Sequence, residues 1–173
     1  MNNCLKENLG MYESLKEFSN IIVSGPQRSG TRIAAKIIAA DTDKEYVDEK
    51  YINFHDFRLL EWYLDKGNTV VQCPGLSHLL HLISVPSTLV LMVTRPINEI
   101  LASESRSWSE KSREIELIKY GYTGGIISEI KYDFWFKYQK QRLMNAREVK
   151  YHNLEQHPLF IKDRKTFRWD QTE

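Results

Sequence analysis

The feature that most constrains the fold is the segment of residues 21–40, IIVSGPQRSGTRIAAKIIAA. A short β-branched run, Ile21–Val23, leads into a glycine-containing loop, Gly25–Thr31, and an Ala- and Ile-rich helix, Ile33–Ala40, follows. A helix that begins directly after such a loop turns its unpaired backbone N–H groups and the positive end of its dipole toward the loop. The order of strand, glycine loop and helix therefore predicts a loop that binds the phosphates of a nucleotide.

The side chains of this glycine loop, residues 25–31, suit an anion. Gly25 and Gly30 allow the backbone to curl where a Cβ would obstruct it. Ser29 and Thr31 add hydroxyl donors, and Arg28 adds a fixed positive charge. A simple glycine-serine turn would explain the glycines, but not an arginine between a strand and a helix.

The loop differs from a Walker A sequence, which would need Lys at position 31 and Ser or Thr at position 32. The chain has Thr31 and Arg32 there. A metal-dependent phosphoryl transferase also needs an acidic residue for Mg²⁺ near the end of a neighbouring strand, whereas the most hydrophobic later strand ends in Arg95. Both differences argue against a kinase or an ATPase.

The rest of the chain alternates between strand and helix patterns. Further strands are predicted at Glu45–Val47, Thr69–Gln72, Thr88–Val93 and Glu148–Tyr151, and helices at Phe54–Leu64, at 76–84, after Pro96 and at 124–146. This alternation predicts a three-layer α/β fold of the P-loop type, with a central, mostly parallel sheet of about four or five strands flanked by helices. The 173 residues suit one domain, 1–173, with a lead-in at 1–18 and a C-terminal tail at 160–173.

The composition limits the classes of partner that this protein is expected to bind. Lys and Arg (24) nearly balance Asp and Glu (23), so no overall charge favours nucleic acid or an acidic membrane surface. No signal-peptide pattern or membrane-spanning apolar run occurs, and Cys4 and Cys73 do not suggest a disulfide framework. We therefore expect a cytoplasmic protein with neither nucleic-acid nor membrane partners.

A second candidate anion site follows the strand Thr88–Val93. Arg95 comes at its end, Pro96 suits the first position of the next helix, and Ser103 lies eight residues beyond Arg95. Arg95 should project from the carboxyl edge of the sheet, where ligands bind in open α/β folds. Each residue alone also fits a plain structural role, as an ion-pair partner or a surface serine.

Together, these two motifs resemble the cytosolic and Golgi-type sulfotransferases that use 3′-phosphoadenosine 5′-phosphosulfate (PAPS). Pro26–Thr31 resembles the family's donor loop, and Arg95-Pro96 with Ser103 resembles its second motif. The resemblance implies PAPS as donor and 3′-phosphoadenosine 5′-phosphate (PAP) as product, with Arg95 and Ser103 at the 3′-phosphate. It also implies a donor site at the loop, formed by Gln27, Arg28, Ser29, Gly30, Thr31 and Arg32.

Weaker similarities extend this resemblance over roughly residues 20–155. Gln72-Cys73-Pro74 is similar to the family's strand-Lys-x-Pro element, with Gln72 where Lys is common. Val149–Leu154 is similar to its late Tyr-Glu-Asp-Leu element, with His152 in place of Glu. The basic, glycine-containing loop that many members have near the C-terminus is not cleanly present.

The resemblance also implies a metal-independent transfer of a sulfuryl group to a hydroxyl or amine of an acceptor that the sequence does not identify. Arg28 would stabilise negative charge on the leaving phosphate. Some members use a glutamate after the second strand as the general base, and Glu49 lies at that point, nineteen residues beyond Gly30. We take Glu49 as the candidate base and Asp48 as the second candidate; a surface acidic turn is the alternative.

Two other interpretations remain open. The first is a P-loop nucleotide or nucleoside kinase, which shares the fold and the loop. The second is a non-catalytic nucleotide-binding protein on the same scaffold, which the short length and the missing C-terminal loop favour.

Overall fold

The structure, a computed structural model, describes residues 10–53, 56–107 and 146–161. Its strands are β1 (Asn20–Ser24), β2 (Glu45–Val47), β3 (Thr69–Gln72), β4 (Thr88–Thr94) and β5 (Ala146–Lys150). They form a sheet in the order β2-β3-β1-β4-β5, and every neighbouring pair is parallel. Strand β1 is central, so the loop that follows it lies in the middle of the sheet's carboxyl edge.

Helices connect and cover these strands. They are α1 (Thr31–Thr42), α2 (Phe57–Lys66), α3 (Ile97–Ser107) and α4 (Tyr151–Leu154), with 3-10 helices at Glu13–Glu17, Glu49–Ile52 and Ser77–Leu82. Within the described ranges, no helix has the length and apolar character needed to cross a bilayer.

The two faces of the sheet pack against different helices. Side chains alternate along a strand, so Ile21 and Val23 of β1 pack with α1 on one face. Ile22 packs on the opposite face with Leu60 and Leu64 of α2. All five residues of β1 are buried, as expected for a parallel strand covered on both sides. The predicted three-layer α/β fold with a parallel central sheet is confirmed.

Helix α2 begins later than the sequence predicted, at Phe57 rather than Phe54. The carboxylate of Asp56 accepts hydrogen bonds from the backbone N–H groups of Arg58 (3.0 Å) and Leu59 (3.2 Å). These bonds satisfy donors that have no partner inside the helix, so Asp56 sets the first turn.

The segment predicted as a helix at 76–84 is a 3-10 helix over Ser77–Leu82. Its turn begins when Ser77 N donates to the carbonyl of Pro74, and Leu79 N donates to that of Leu76 at 2.8 Å. Bonds between residues three apart give a tighter helix than the α-helical pattern implied. The predicted helix at 124–146 lies outside the described residues except for residue 146, which begins β5, and so does the tail beyond residue 161.

A buried aspartate–histidine pair fastens distant segments to α1. Asp41, near the end of α1, accepts hydrogen bonds from the backbone N–H groups of Gly10 (3.1 Å) and Tyr12 (3.0 Å). His157 Nε2 lies 3.2 Å from Asp41 Oδ1, and both side chains are almost fully buried. Because Leu159 N donates to His157 Nδ1, the ring proton is on Nε2 and is donated to Asp41. The segments around residues 10 and 157 are thus held on the same helix.

Candidate functional site

Five parallel strands end at one edge of the sheet, and the residues singled out from the sequence follow four of them. The glycine loop follows β1, Asp48 and Glu49 follow β2, Cys73 follows β3, and Arg95 follows β4. The carboxyl edge is where open α/β folds bind ligands. The candidate site is therefore built at the carboxyl edge of the central sheet.

The glycine loop requires glycine at its two ends. Gly25 has φ of 147°, and a Cβ there would lie 2.7 Å from the carbonyl oxygen of Val93 on β4. Gly30 has φ of 98°, and a Cβ there would overlap the ring of Tyr151. Between them, Arg28 adopts a left-handed φ of 63°, which is uncommon for a residue with a side chain. The loop is held in one strained conformation that leads directly into α1.

Polar groups of this loop lack hydrogen-bond partners among the described residues. Ser29 is fully buried, and its Oγ has none there; nor does the buried Gln27 Oε1. The first backbone N–H groups of α1 have no carbonyl to bond within the helix, because the earliest bond of this kind is donated by Ala34 N to Gly30 O (3.1 Å). A buried hydroxyl without a partner among the described residues thus lies beside the amides at the start of α1.

The two predicted anion sites meet. Arg28 Nε donates to Ser103 Oγ at 3.2 Å across 75 residues of sequence, and Arg95 Nη1 donates to the backbone carbonyl of Arg28 at 3.3 Å. Ser103 is nearly buried on α3, so it is not a plain surface serine. The loop after β1, the end of β4 and α3 form one surface.

Two neighbours fix the side chain of Arg95. Glu99, one turn along α3, accepts from Arg95 Nε at 3.0 Å and also contacts His152 Nε2 at 3.1 Å. The Arg95 guanidinium lies over the Tyr151 ring, 4.1 Å from its centroid. The same ring packs on Gly30, so Tyr151 contacts both the loop backbone and the guanidinium of Arg95.

Three other arginines act on the charge of Arg28 in the loop. Burial lowers the pKa of Arg28, and Arg95, Arg32 and Arg106 lower it further, while the nearly buried Glu104 opposes them. Cations that disfavour one another's charge raise the local positive potential, and a bound anion would relieve it.

An acidic cluster lies on the other side of the loop, at the end of β2. Arg32 Nε lies 3.2 Å from Asp48 Oδ2, and Arg32 Nη2 lies 3.9 Å from Glu49 Oε1. Burial raises the pKa of Glu49 to about 7; Arg32 opposes this rise, Asp48 adds to it, and a hydrogen bond from Gln72 opposes it. Glu49 Oε2 is buried and has no hydrogen-bond partner among the described residues. Glu49 is therefore a carboxyl group that can exchange a proton near neutral pH.

Gln72 links this acidic cluster to the glycine loop. Its Nε2 donates to Thr31 Oγ1 at 3.2 Å, and its Oε1 accepts from Tyr46 OH at 3.4 Å. The hydroxyl of Tyr46 also donates to Asp48 Oδ2 at 3.0 Å. This buried network sets the distance between the first turn of α1 and the carboxylates.

The structure thus brings most of the residues singled out from the sequence to one edge. Gln27 through Thr31 form the loop, Arg95 and Ser103 join it, and Asp48 and Glu49 lie beside it. The side chain of Arg32 pairs with the acidic cluster, and its role at the donor stays a prediction. Sequence reasoning missed Tyr151, Glu99 and Glu104; the position of Tyr151 directly after the last strand was the available signal for one of them.

In comparisons with known proteins, no protein-family model and no curated protein matched this chain.

Proposed function

We propose that this protein is a sulfotransferase that transfers a sulfuryl group from PAPS to a hydroxyl or amine of an acceptor. The observation that carries the proposal is the contact between Arg28 and Ser103, 3.2 Å long. It joins the two motifs on which the resemblance to PAPS-dependent sulfotransferases rests. PAPS carries its phosphosulfate and its second phosphate on the 5′ and 3′ positions of one ribose, so its site needs two anion-binding groups on one surface, and these motifs would supply them.

The residues at this edge of the sheet are suited to binding PAPS. The loop from Gln27 to Thr31 and the first amides of α1 would hold the phosphosulfate end, and Arg95 with Ser103 would hold the 3′-phosphate. Support comes from the buried Ser29 hydroxyl, which lacks a hydrogen-bond partner among the described residues, and from the crowding of cations around Arg28. The absence of a side chain at Gly30 lets the Tyr151 ring pack directly on the loop backbone.

When bound, PAPS supplies an activated sulfuryl group. Glu49 accepts the proton of the acceptor's hydroxyl or amine, and a carboxyl with a pKa of about 7 is well matched to that task at neutral pH. Arg28 and the amides at the start of α1 stabilise negative charge on the phosphate side. Gln72 connects the two parts of the proposed site, because it donates hydrogen bonds to Thr31 at the start of α1 and to Glu49.

A thermal-shift titration with PAP, set beside ATP with and without Mg²⁺, tests the donor site. A ligand at a hundred times its dissociation constant adds about 2.7 kcal/mol to stability, which such an assay detects easily. We expect PAP to stabilise the protein without metal and Arg95→Ala to remove that effect. Arg147→Ala on β5 is the matched control, because this exposed arginine pairs with the exposed Glu17 at 3.6 Å.

The other interpretations predict different results. Stabilisation by Mg²⁺-ATP alone would support a nucleotide kinase and would contradict the roles given to Arg95 and Ser103. Radiolabelled PAPS offered with alcohols, phenols, sugars and peptides tests transfer itself. Glu49→Gln should abolish transfer and leave PAP binding intact, whereas PAP binding without transfer to any acceptor class would support the non-catalytic interpretation.

A further inference from the structure

We propose that Asp48 is a positioning residue: it holds the Arg32 guanidinium and so leaves Glu49 as the carboxylate that takes the acceptor's proton. The inference rests on the role proposed above for Glu49. It assigns different roles to two adjacent carboxylates, Asp48 and Glu49, that can both pair with Arg32.

The contacts of the two carboxylates are unequal. Asp48 Oδ2 accepts from Tyr46 OH at 3.0 Å and lies 3.2 Å from Arg32 Nε, which pairs with it as an ion without being aligned for a hydrogen bond. Asp48 Oδ1 accepts from the backbone N–H of Lys50 at 3.2 Å. Both oxygens of Asp48 are therefore engaged by donors.

The carboxylate of Glu49 has fewer close contacts with donors than that of Asp48. Its Oε1 is 3.9 Å from Arg32 Nη2, and its Oε2 is buried with no hydrogen-bond partner in the described part of the chain. Its side chain is only 14% exposed, so water can supply few of the missing hydrogen bonds. A buried carboxylate that is weakly paired favours its protonated form, and the pKa of about 7 agrees with the geometry.

All of the groups that face Glu49 are consistent with this arrangement. Arg32 approaches from α1, and Asp48 and Tyr46 from the end of β2. Gln72, the last residue of β3, donates a hydrogen bond to Glu49, and the buried thiol of Cys73 follows it. Arg32 is the cation among these groups, so the carboxylate with which it pairs is the one whose negative charge is stabilised.

Tyr46 and the turn after β2 hold Asp48 in place. Asp48 is the N-cap of the 3-10 helix Glu49–Ile52, which fixes its backbone, and the Tyr46 hydroxyl fixes its side chain. Glu49, one residue later, has no comparable restraint on Oε2. The geometry thus pairs Arg32 with Asp48, the carboxylate that other contacts hold in place.

A titration of the Glu49 carboxyl by carbon-13 NMR tests this inference without requiring turnover. Asp48→Asn keeps the oxygen that caps Lys50 N and removes the charge that holds Arg32. We expect the pKa of Glu49 to fall by about one unit or more, because Arg32 can then pair with it fully. Asp48→Ser, which can also cap, should give the same fall and serves if the Asn variant does not fold. The matched control is Glu45→Gln, on the strand that leads into Asp48 but exposed and paired with Lys66, which should leave the Glu49 pKa unchanged.

A double substitution separates positioning from simple repulsion between carboxylates. In an Arg32→Gln background, Asp48→Asn should lower the Glu49 pKa clearly less than it does in the wild type, because there is no guanidinium to release. Equal falls in both backgrounds, or no fall in either, would overturn the positioning role.

If the pKa values shift as expected but no variant and no wild-type protein transfers sulfuryl groups at any pH, the proposed function fails while the arrangement of the carboxylates stands. If transfer is measurable, the acid limb of the kcat/KM profile should move with the NMR value.

Discussion

Replacement of Glu49 by Gln should change how the stability of the protein depends on pH. The Glu49 carboxyl has an ordinary pKa of 4.5 and a pKa of about 7 in the folded protein, because it is buried. Between these values the folded state binds the proton more tightly than the unfolded state does. The free energy of unfolding therefore falls as the pH rises through this window, and the fall levels off above pH 7.

The magnitude follows from the difference between the two pKa values. At 1.36 kcal/mol for each pKa unit, the wild type should lose about 3 kcal/mol between pH 4.5 and pH 8 on account of this one group. The side chain is 14% exposed, so little of this cost is screened by solvent. Gln has nearly the same shape and carries no proton that titrates, so the variant lacks this contribution.

Urea unfolding at pH 4.5 and pH 8 measures the effect. Other groups titrate equally in both proteins, so the comparison is the stability of Glu49→Gln minus that of the wild type at each pH. This difference should be larger at pH 8 by about 3 kcal/mol, whereas for Glu45→Gln, which removes a solvent-exposed ion pair with Lys66, it should change by less than about 1 kcal/mol. A difference that stays constant for Glu49→Gln would refute the claim that this carboxyl resists ionisation in the folded protein.

Three further substitutions test other parts of the site. Gly30→Ala should lower the free energy of unfolding by at least about 1 kcal/mol in urea, because the residue has a left-handed φ of 98° and its new methyl group meets the Tyr151 ring; an unchanged stability would show that the ring moves freely. Asp41→Ala should cost about 3–5 kcal/mol in the same assay, because it leaves a buried histidine and two backbone donors without their acceptor. Glu99→Gln should tighten PAP binding up to about fivefold in calorimetry, since Arg95 loses a competing carboxylate 3.0 Å away; weaker binding would mean that Glu99 mainly holds Arg95 in its productive orientation.

The parallel sheet was predictable because its signals are local. Each strand is a short β-branched or apolar run bounded by turn residues, and Thr69–Gln72 was predicted with its observed bounds. Where prediction and structure differ, a polar side chain or a tight turn decided the outcome. The carboxylate of Asp56 starts α2 three residues late, and bonds between residues three apart keep Ser77–Leu82 in a 3-10 helix.

The composition of the candidate site was predictable, but its internal contacts were not. Parallel strands bring their carboxyl ends together, so the loop, Glu49 and Arg95 could be expected at one edge. Nothing in the sequence indicated that Arg32 pairs with Asp48, because that pairing depends on how α1 lies against the end of β2. The same holds for Tyr151, whose ring packs on Gly30 although the two residues are distant in sequence.

The pairing of Asp41 with His157 has a consequence for how the protein is made. The two residues are separated by 116 positions, so α1 leaves the ribosome long before its histidine partner is synthesised. Until that partner docks, a carboxylate that the native state buries remains in water, and the ring that closes over Gly30 has not arrived. Until Tyr151 is synthesised, the nascent chain consequently carries the glycine loop without the ring that packs on it. Closure of a contact between such distant residues is a late and comparatively slow event, and it completes the core around α1 and the loop together.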